Sequence, residues 1–153
     1  MLTPRIEHYR GMTVAGHNVR YTHATRVNIP AQWETFAPNI GKVPGQVGGA
    51  SYGVCWNFDV KGDFDYLTGV EVTNAHELPS EFMHVNIPAS DYAVFTHNEH
   101  VSTIPVTIQY IWRDWAPKAP HKIAGTPSFE RYGEGFDPKS GFGDIEIWVP
   151  VEK

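Results

Sequence analysis

In the stretch "SFERY", residues 128–132, a carboxylate and a phenol stand two residues apart. Side chains alternate faces along a strand, so Glu130 and Tyr132 point one way, and Phe129 and Arg131 the other. The closing stretch "IEIWVPV", residues 145–151, alternates again. Ile145, Ile147, Val149 and Val151 form an aliphatic set, leaving Glu146, Trp148 and Pro150 on the opposite face. Paired as hairpin neighbours, the two strands are expected to place Glu130, Tyr132, Glu146 and Trp148 on one surface that is both acidic and aromatic. Such a surface suits an organic cation. Ring faces attract a desolvated cation by roughly 0.5–2 kcal/mol each, and a carboxylate in an apolar setting is relieved when a cation arrives. A plainer account stays open, in which Glu130 pairs with Arg113 or Arg131, or faces water.

The chain around these strands has the bulk properties of a globular protein. It has 153 residues, 41% hydrophobic and 13% aromatic, enough for a core in a single domain. Its net charge is −5, and its 12 Lys and Arg are scattered, with no basic stripe. Phosphate backbones require clustered cations, so direct nucleic-acid binding is not expected. The single cysteine, Cys55, cannot form an internal disulfide, which fits a reducing cytoplasm. The opening residues lack the apolar run of a signal peptide, and no window reaches the length of a membrane span.

The candidate strands belong to a pattern that occurs twice. Residues 12–22 read as the first strand, with a glycine bend. Asn28, as N-cap, and Pro30 open a short helix with an apolar stripe of Trp33, Phe36, Ala37 and Ile40, shortened or kinked at Pro38. "SYGVCWNFDV" and "FDYLTGVEV" read as two strands joined at Lys61–Gly62–Asp63. "FMHVNIPASDYAVFTHN" reads as one long bent strand or as two segments broken at Pro88. Thr103 and Pro105 then open a second helix, with Ile104, Ile108, Ile111, Trp112 and Trp115 as its stripe. Asn28–Ile29–Pro30 matches Thr103–Ile104–Pro105, and Asp65–Tyr66–Leu67 matches Asp144–Ile145–Glu146. The expectation is an α+β domain over residues 1–153. Two strand–helix–strand–strand units, about 1–78 and 79–153, are related by a pseudo-twofold axis. Both helices lie on one side of an antiparallel sheet assembly, with a central groove across the axis.

The segments "YLTGVEV", "DYAVFTHNE", "IQYIWRDW", "PSFERYGE" and "DIEIWVPV" together resemble the GyrI-like small-molecule-binding family. That family includes the effector-binding domains of AraC-type and MerR-type transcription regulators, and the resemblance covers nearly the whole chain. It implies the duplicated fold with a central ligand groove. It also implies that Glu130, in the family's F-E-x-Y position, meets lipophilic, drug-like cations, with Glu146 and Trp148 matching residues of the last strand. Tyr132, Tyr52 and Trp56 are expected as further walls. With residue 12 already in a strand, no DNA-binding module is expected. Stand-alone members of the family include drug-binding proteins, gyrase-modulating proteins and products of mobile gene cassettes. An oligomer is compatible with this reading.

Two other classes compete. Some relatives hydrolyse reactive small molecules, and Glu130 with Tyr132 offers a base and a proton donor. A surface patch that inhibits a partner such as DNA gyrase is the other. No metal or cofactor is expected. His97 and His100 lack the H-E-x-x-H order and read as loop or helix-capping residues. The glycine-rich "GKVPGQVGGA" has no G-K-[ST] ending, and Cys55 reads as a buried structural thiol.

Overall fold

A computed structural model describes residues 3–152. Its strands are β1 (Arg5–Tyr9), β2 (Met12–Tyr21), β3 (Ser51–Trp56), β4 (Phe64–Val72), β5 (Met83–Ile87), β6 (Ser90–His97), β7 (Lys122–Ile123), β8 (Ser128–Tyr132) and β9 (Ile145–Glu152). The helices are α1 (Ile29–Phe36) and α2 (Ile104–Tyr110). All pairings are antiparallel, in the order β1-β6-β9-β8-β3-β4-β2-β5, with the short β7 also on β9. Exchanging β1 with β5, β2 with β6, β3 with β8 and β4 with β9 reverses this order onto itself. The pseudo-twofold axis therefore passes between β3 and β8. The first strand begins before residue 12, with β1 in place of the expected start: its alternation, "RIEHY", puts few apolar residues on either face and so gives little strand signal.

The order forces the sheet to curl. β1 and β2 stand six strand spacings apart, about 29 Å in a flat sheet. Only Arg10 and Gly11 connect them, a reach of about 11 Å. β5 and β6 are joined as tightly, through Pro88 and Ala89. The ends of the sheet must therefore approach each other. Gly11 (φ +90°) marks the crossing, where a Cβ would lie 2.7 Å from the Ile87 carbonyl oxygen. The curl encloses one core on the side away from the helices, built from Val14, Val54, Leu67, Tyr92, Phe129 and Trp148 among others.

The opposite side of the sheet carries both helices. Phe36 of α1 packs on Ala15, Val70 and Val72. Ile104 and Ile111 pack on Ala93, Phe95, Ile145 and Ile147. The apolar stripes are only partly as expected. Ala37 is exposed, and Trp112 is 44% exposed. Beyond Tyr110 the second helix widens into a π turn over Ile111–Trp115, and the extra residue per turn rotates Trp112 outward. Buried Gln32 and Thr107 hold positions that the stripes did not include. Gln32 accepts from Tyr21 Oη at 2.5 Å and donates to the carbonyls of His17 and Tyr66 at 2.9 Å, tying α1 to the sheet. Asn28 and Thr103 precede the helices as expected, but neither side chain caps its helix. Proline at the start and the packing below suffice there.

Candidate functional site

Glu130 lies at the pseudo-twofold junction, on β8 directly opposite Gly53 of β3. It retains only 7% of its surface. Tyr132 Oη donates to Glu130 Oε1 at 2.8 Å, and Tyr66 Oη, from β4, donates to the same oxygen at 2.9 Å. Trp33 of α1 extends the chain, its Nε1–H donating to Tyr66 Oη at 2.9 Å. The Trp33 ring also meets Tyr132 edge-on, with centroids 5.1 Å apart, and Phe136 meets Tyr132 from another side at 5.2 Å. The helix side of the sheet thus holds a carboxylate in a nest of rings.

The electrostatics follow from burial. Desolvation pushes the Glu130 carboxyl above the usual carboxylate range, while the two phenol donors pull it back. The phenols of Tyr66 and Tyr132 are pushed well up by burial and by the adjacent carboxylate. Cys55, on the same face beside Tyr66, is only partly buried as a residue, not fully buried as expected. Desolvation of its thiol and the Glu130 carboxylate still push it up, as suits a structural thiol rather than a nucleophile. Neither Arg113 nor Arg131 pairs with Glu130, and among the described residues no lysine or arginine does. That closes the plainer account of Glu130 as half of a salt bridge.

The register divides the expected site between the two faces. In the β8–β9 pairing Glu130 is opposite Ile147, and Tyr132 opposite Ile145. Directly opposed residues share a face, so Glu146 and Trp148 lie on the far side, with Phe129 and Arg131. The surface expected to hold Glu130, Tyr132, Glu146 and Trp148 together is therefore not formed. Side chains alternate within each strand as expected, but the offset between the strands differs from the expected one by one residue. Glu146 is already neutralised, with Arg5 Nη2 2.6 Å away and Arg131 Nη1 3.9 Å away, and it accepts from Trp148 Nε1–H at 3.2 Å. Tyr52 and Trp56 also fall on the far face, opposite Arg131 and Asp65. Tyr52 is buried beside Phe129, and Trp56 donates to Asn18 Oδ1 at 3.0 Å.

Tyr66 and Trp33 complete the nest, and neither was expected there. Tyr66 had a usable signal: in the repeat it matches Ile145, and a phenol where its counterpart is aliphatic marks a polar task. The repeats also explain why there is one carboxylate. Tyr66 opposes Cys55, and Ile145 opposes Tyr132, so Cys55 matches Tyr132 and Gly53 matches Glu130. Two glutamates at these positions would face each other across one strand pair, and their charges would repel. The missing side chain leaves room instead for Tyr66, since a Cβ on Gly53 would collide with Tyr66 Oη and lie 3.1 Å from Glu130 Oε1. Gly53→Ala is expected to cost about 1–3 kcal/mol of stability by overpacking and to weaken ligand binding. Thermal melting and titration of the variant check this, and unchanged values in both would remove Gly53 from the site's design.

Other features stay outside the nest. A cleft of about 670 Å³ lies where the β1–β2 and β5–β6 connections cross, with Arg10 and Glu71 paired at 2.9 Å in its wall; Glu130 does not line it. His97 is buried, its ring nitrogens within 2.8 Å of Thr107 Oγ1 and 3.0 Å of the His100 carbonyl, and the His100 ring accepts from Ser102 N–H. These are structural links at the start of α2. Among the described residues no group of His, Cys, Asp and Glu could hold a metal ion, and no helix is long and apolar enough to cross a membrane.

The chain is thus a duplicated antiparallel α+β domain with a carboxylate among rings at its axis. The sequence pattern of the GyrI-like small molecule binding domain matches residues 2–152, and the chain belongs to that family. The transcriptional regulator BrlR of Pseudomonas aeruginosa is 28% identical over 124 residues. That match takes in 78% of this chain and 44% of BrlR, so the chain spans less than half of that relative. An integron cassette protein from the mobile metagenome of Vibrio cholerae superposes with a TM-score of 0.72 at 27% identity, over 98% of this chain and 96% of that one. SAV2435, in a structure bound to tetraphenylphosphonium, superposes with a TM-score of 0.73 at 20% identity, over 97% and 93% of the chains.

Proposed function

We propose that this chain binds lipophilic organic cations, with Glu130 as the anion of the site. One observation carries the reading: a buried carboxylate, held by the phenols of Tyr66 and Tyr132 with Trp33 and Phe136 packed on Tyr132, and with no cationic partner among the described residues. Burying an unpaired charge is costly, and the fold bears that cost where an apolar residue would remove it. A hydrophobic cation repays the desolvation and meets ring faces. SAV2435, which shares the fold, was captured with such a cation. The hydrolytic alternative ranks second, because the acid it needs, Tyr132, holds its proton more tightly than an ordinary phenol.

Calorimetric titration with tetraphenylphosphonium and with neutral triphenylphosphine oxide tests the reading. The phosphonium is expected to bind at least about tenfold more tightly, the effect of a desolvated charge pair worth about 1.4 kcal/mol or more. Equal affinities would remove charge from the recognition.

A further inference from the structure

The two oxygens of Glu130 are not equivalent. Tyr66 and Tyr132 both donate to Oε1, and no donor among the described residues reaches Oε2. Among the described residues the sealed side-chain polar atoms without a partner are Tyr92 Oη and His121 Nδ1. Glu130 Oε2 is not among them, so it keeps contact with solvent and supplies part of the residue's remaining exposure. The carboxylate cannot turn without losing both phenols at once. One oxygen is taken by the two phenols, and the other has no donor among the described residues.

A ligand that enters strips water from Oε2. A cation with no hydrogen to donate, such as a phosphonium or a quaternary ammonium, leaves that acceptor unsatisfied and holds its own charge a full alkyl or aryl layer away. A cation with an N–H restores the lost bond at about 2.8 Å and brings the charges together. We propose that the preferred ligands are lipophilic amines in their protonated form, each giving an N–H to Glu130 Oε2, over cations that carry no N–H. This rests on the cation-binding reading and narrows it to a chemical class.

The test is a matched pair of probes, N,N-dimethylbenzhydrylamine, protonated at neutral pH, and its N-methyl quaternary salt. The two have the same charge and rings, and the quaternary salt has one more methyl to bury. Without an N–H contact the quaternary salt binds equally or better. With it, the tertiary ammonium binds about tenfold more tightly to the native chain, and Glu130→Gln brings the two affinities together. An affinity ratio near one, or a preference for the quaternary salt, overturns the inference. Tetraphenylphosphonium against triphenylphosphine oxide separates the levels. If that pair still discriminates by charge, only the N–H inference falls; if it does not, the cation reading falls with it.

Discussion

Glu130→Gln is expected to weaken binding of tetraphenylphosphonium by roughly 5- to 150-fold, corresponding to about 1–3 kcal/mol, and to stabilise the empty protein at neutral pH. Gln keeps the shape and can still accept from Tyr66 and Tyr132, but it carries no charge to desolvate. The pH dependence follows from the direction of the shift. Folding raises the Glu130 carboxyl above its ordinary value of 4.5, so the folded chain holds this proton more tightly than the unfolded chain. Protonated Glu130 therefore favours folding below about pH 4.5, and that contribution is lost as pH rises through the raised folded value. Melting curves of native and variant chains are expected to separate progressively above that range, with the Gln variant higher. A variant that melts lower at neutral pH, or binds the phosphonium as tightly as the native chain, would show that Glu130 is neither strained nor the anion of the site.

Phe129→Ala has the largest expected effect on stability. Phe129 is 2% exposed and stacks on Trp148, with centroids 5.4 Å apart and an interplanar angle of 15°. The edges of Tyr9, Tyr52 and Tyr92 close around it. Removing the ring opens a cavity at the centre of the core inside the curled sheet, at a cost of about 3–5 kcal/mol, or roughly 6–20 °C in melting temperature for a chain of this size. Phe129 and Glu130 are neighbours in sequence but point to opposite faces. Below the variant's melting range, cation affinity is therefore expected to stay at the native level. If binding disappears while the variant is still folded, the ligand occupies the aromatic interior of the sheet and not the nest under the helices.

This division between adjacent residues shows what can be read from a sequence like this one. The helix starts were legible at Pro30 and Pro105, because proline fits the first turn and few other places in a helix. The strands β3, β4, β8 and β9 were legible from alternation, and the duplication from matched offsets. β1 was not, because its alternation places few apolar residues on either face, and it acquires its role only on pairing with the distant β6. The outward turn of Trp112 was not, because local widening of the helix into a π turn leaves no periodic trace.

The sequence by itself determined that Glu130 and Tyr132 share a face, since two residues along a strand always return to the same side. It also determined that the chain is a duplicated α+β domain with a carboxylate set among aromatics. Only the tertiary structure decided which aromatics those are. Pairing register is a relation between strands, and a slip of one residue exchanges the faces of a whole strand. The register of β8 on β9 sent Glu146 and Trp148 to the far side, where Arg5 neutralises Glu146. The register of β3 on β8 set Gly53 opposite Glu130, and that gap, with the packing of α1, brought Tyr66 and Trp33 to the carboxylate.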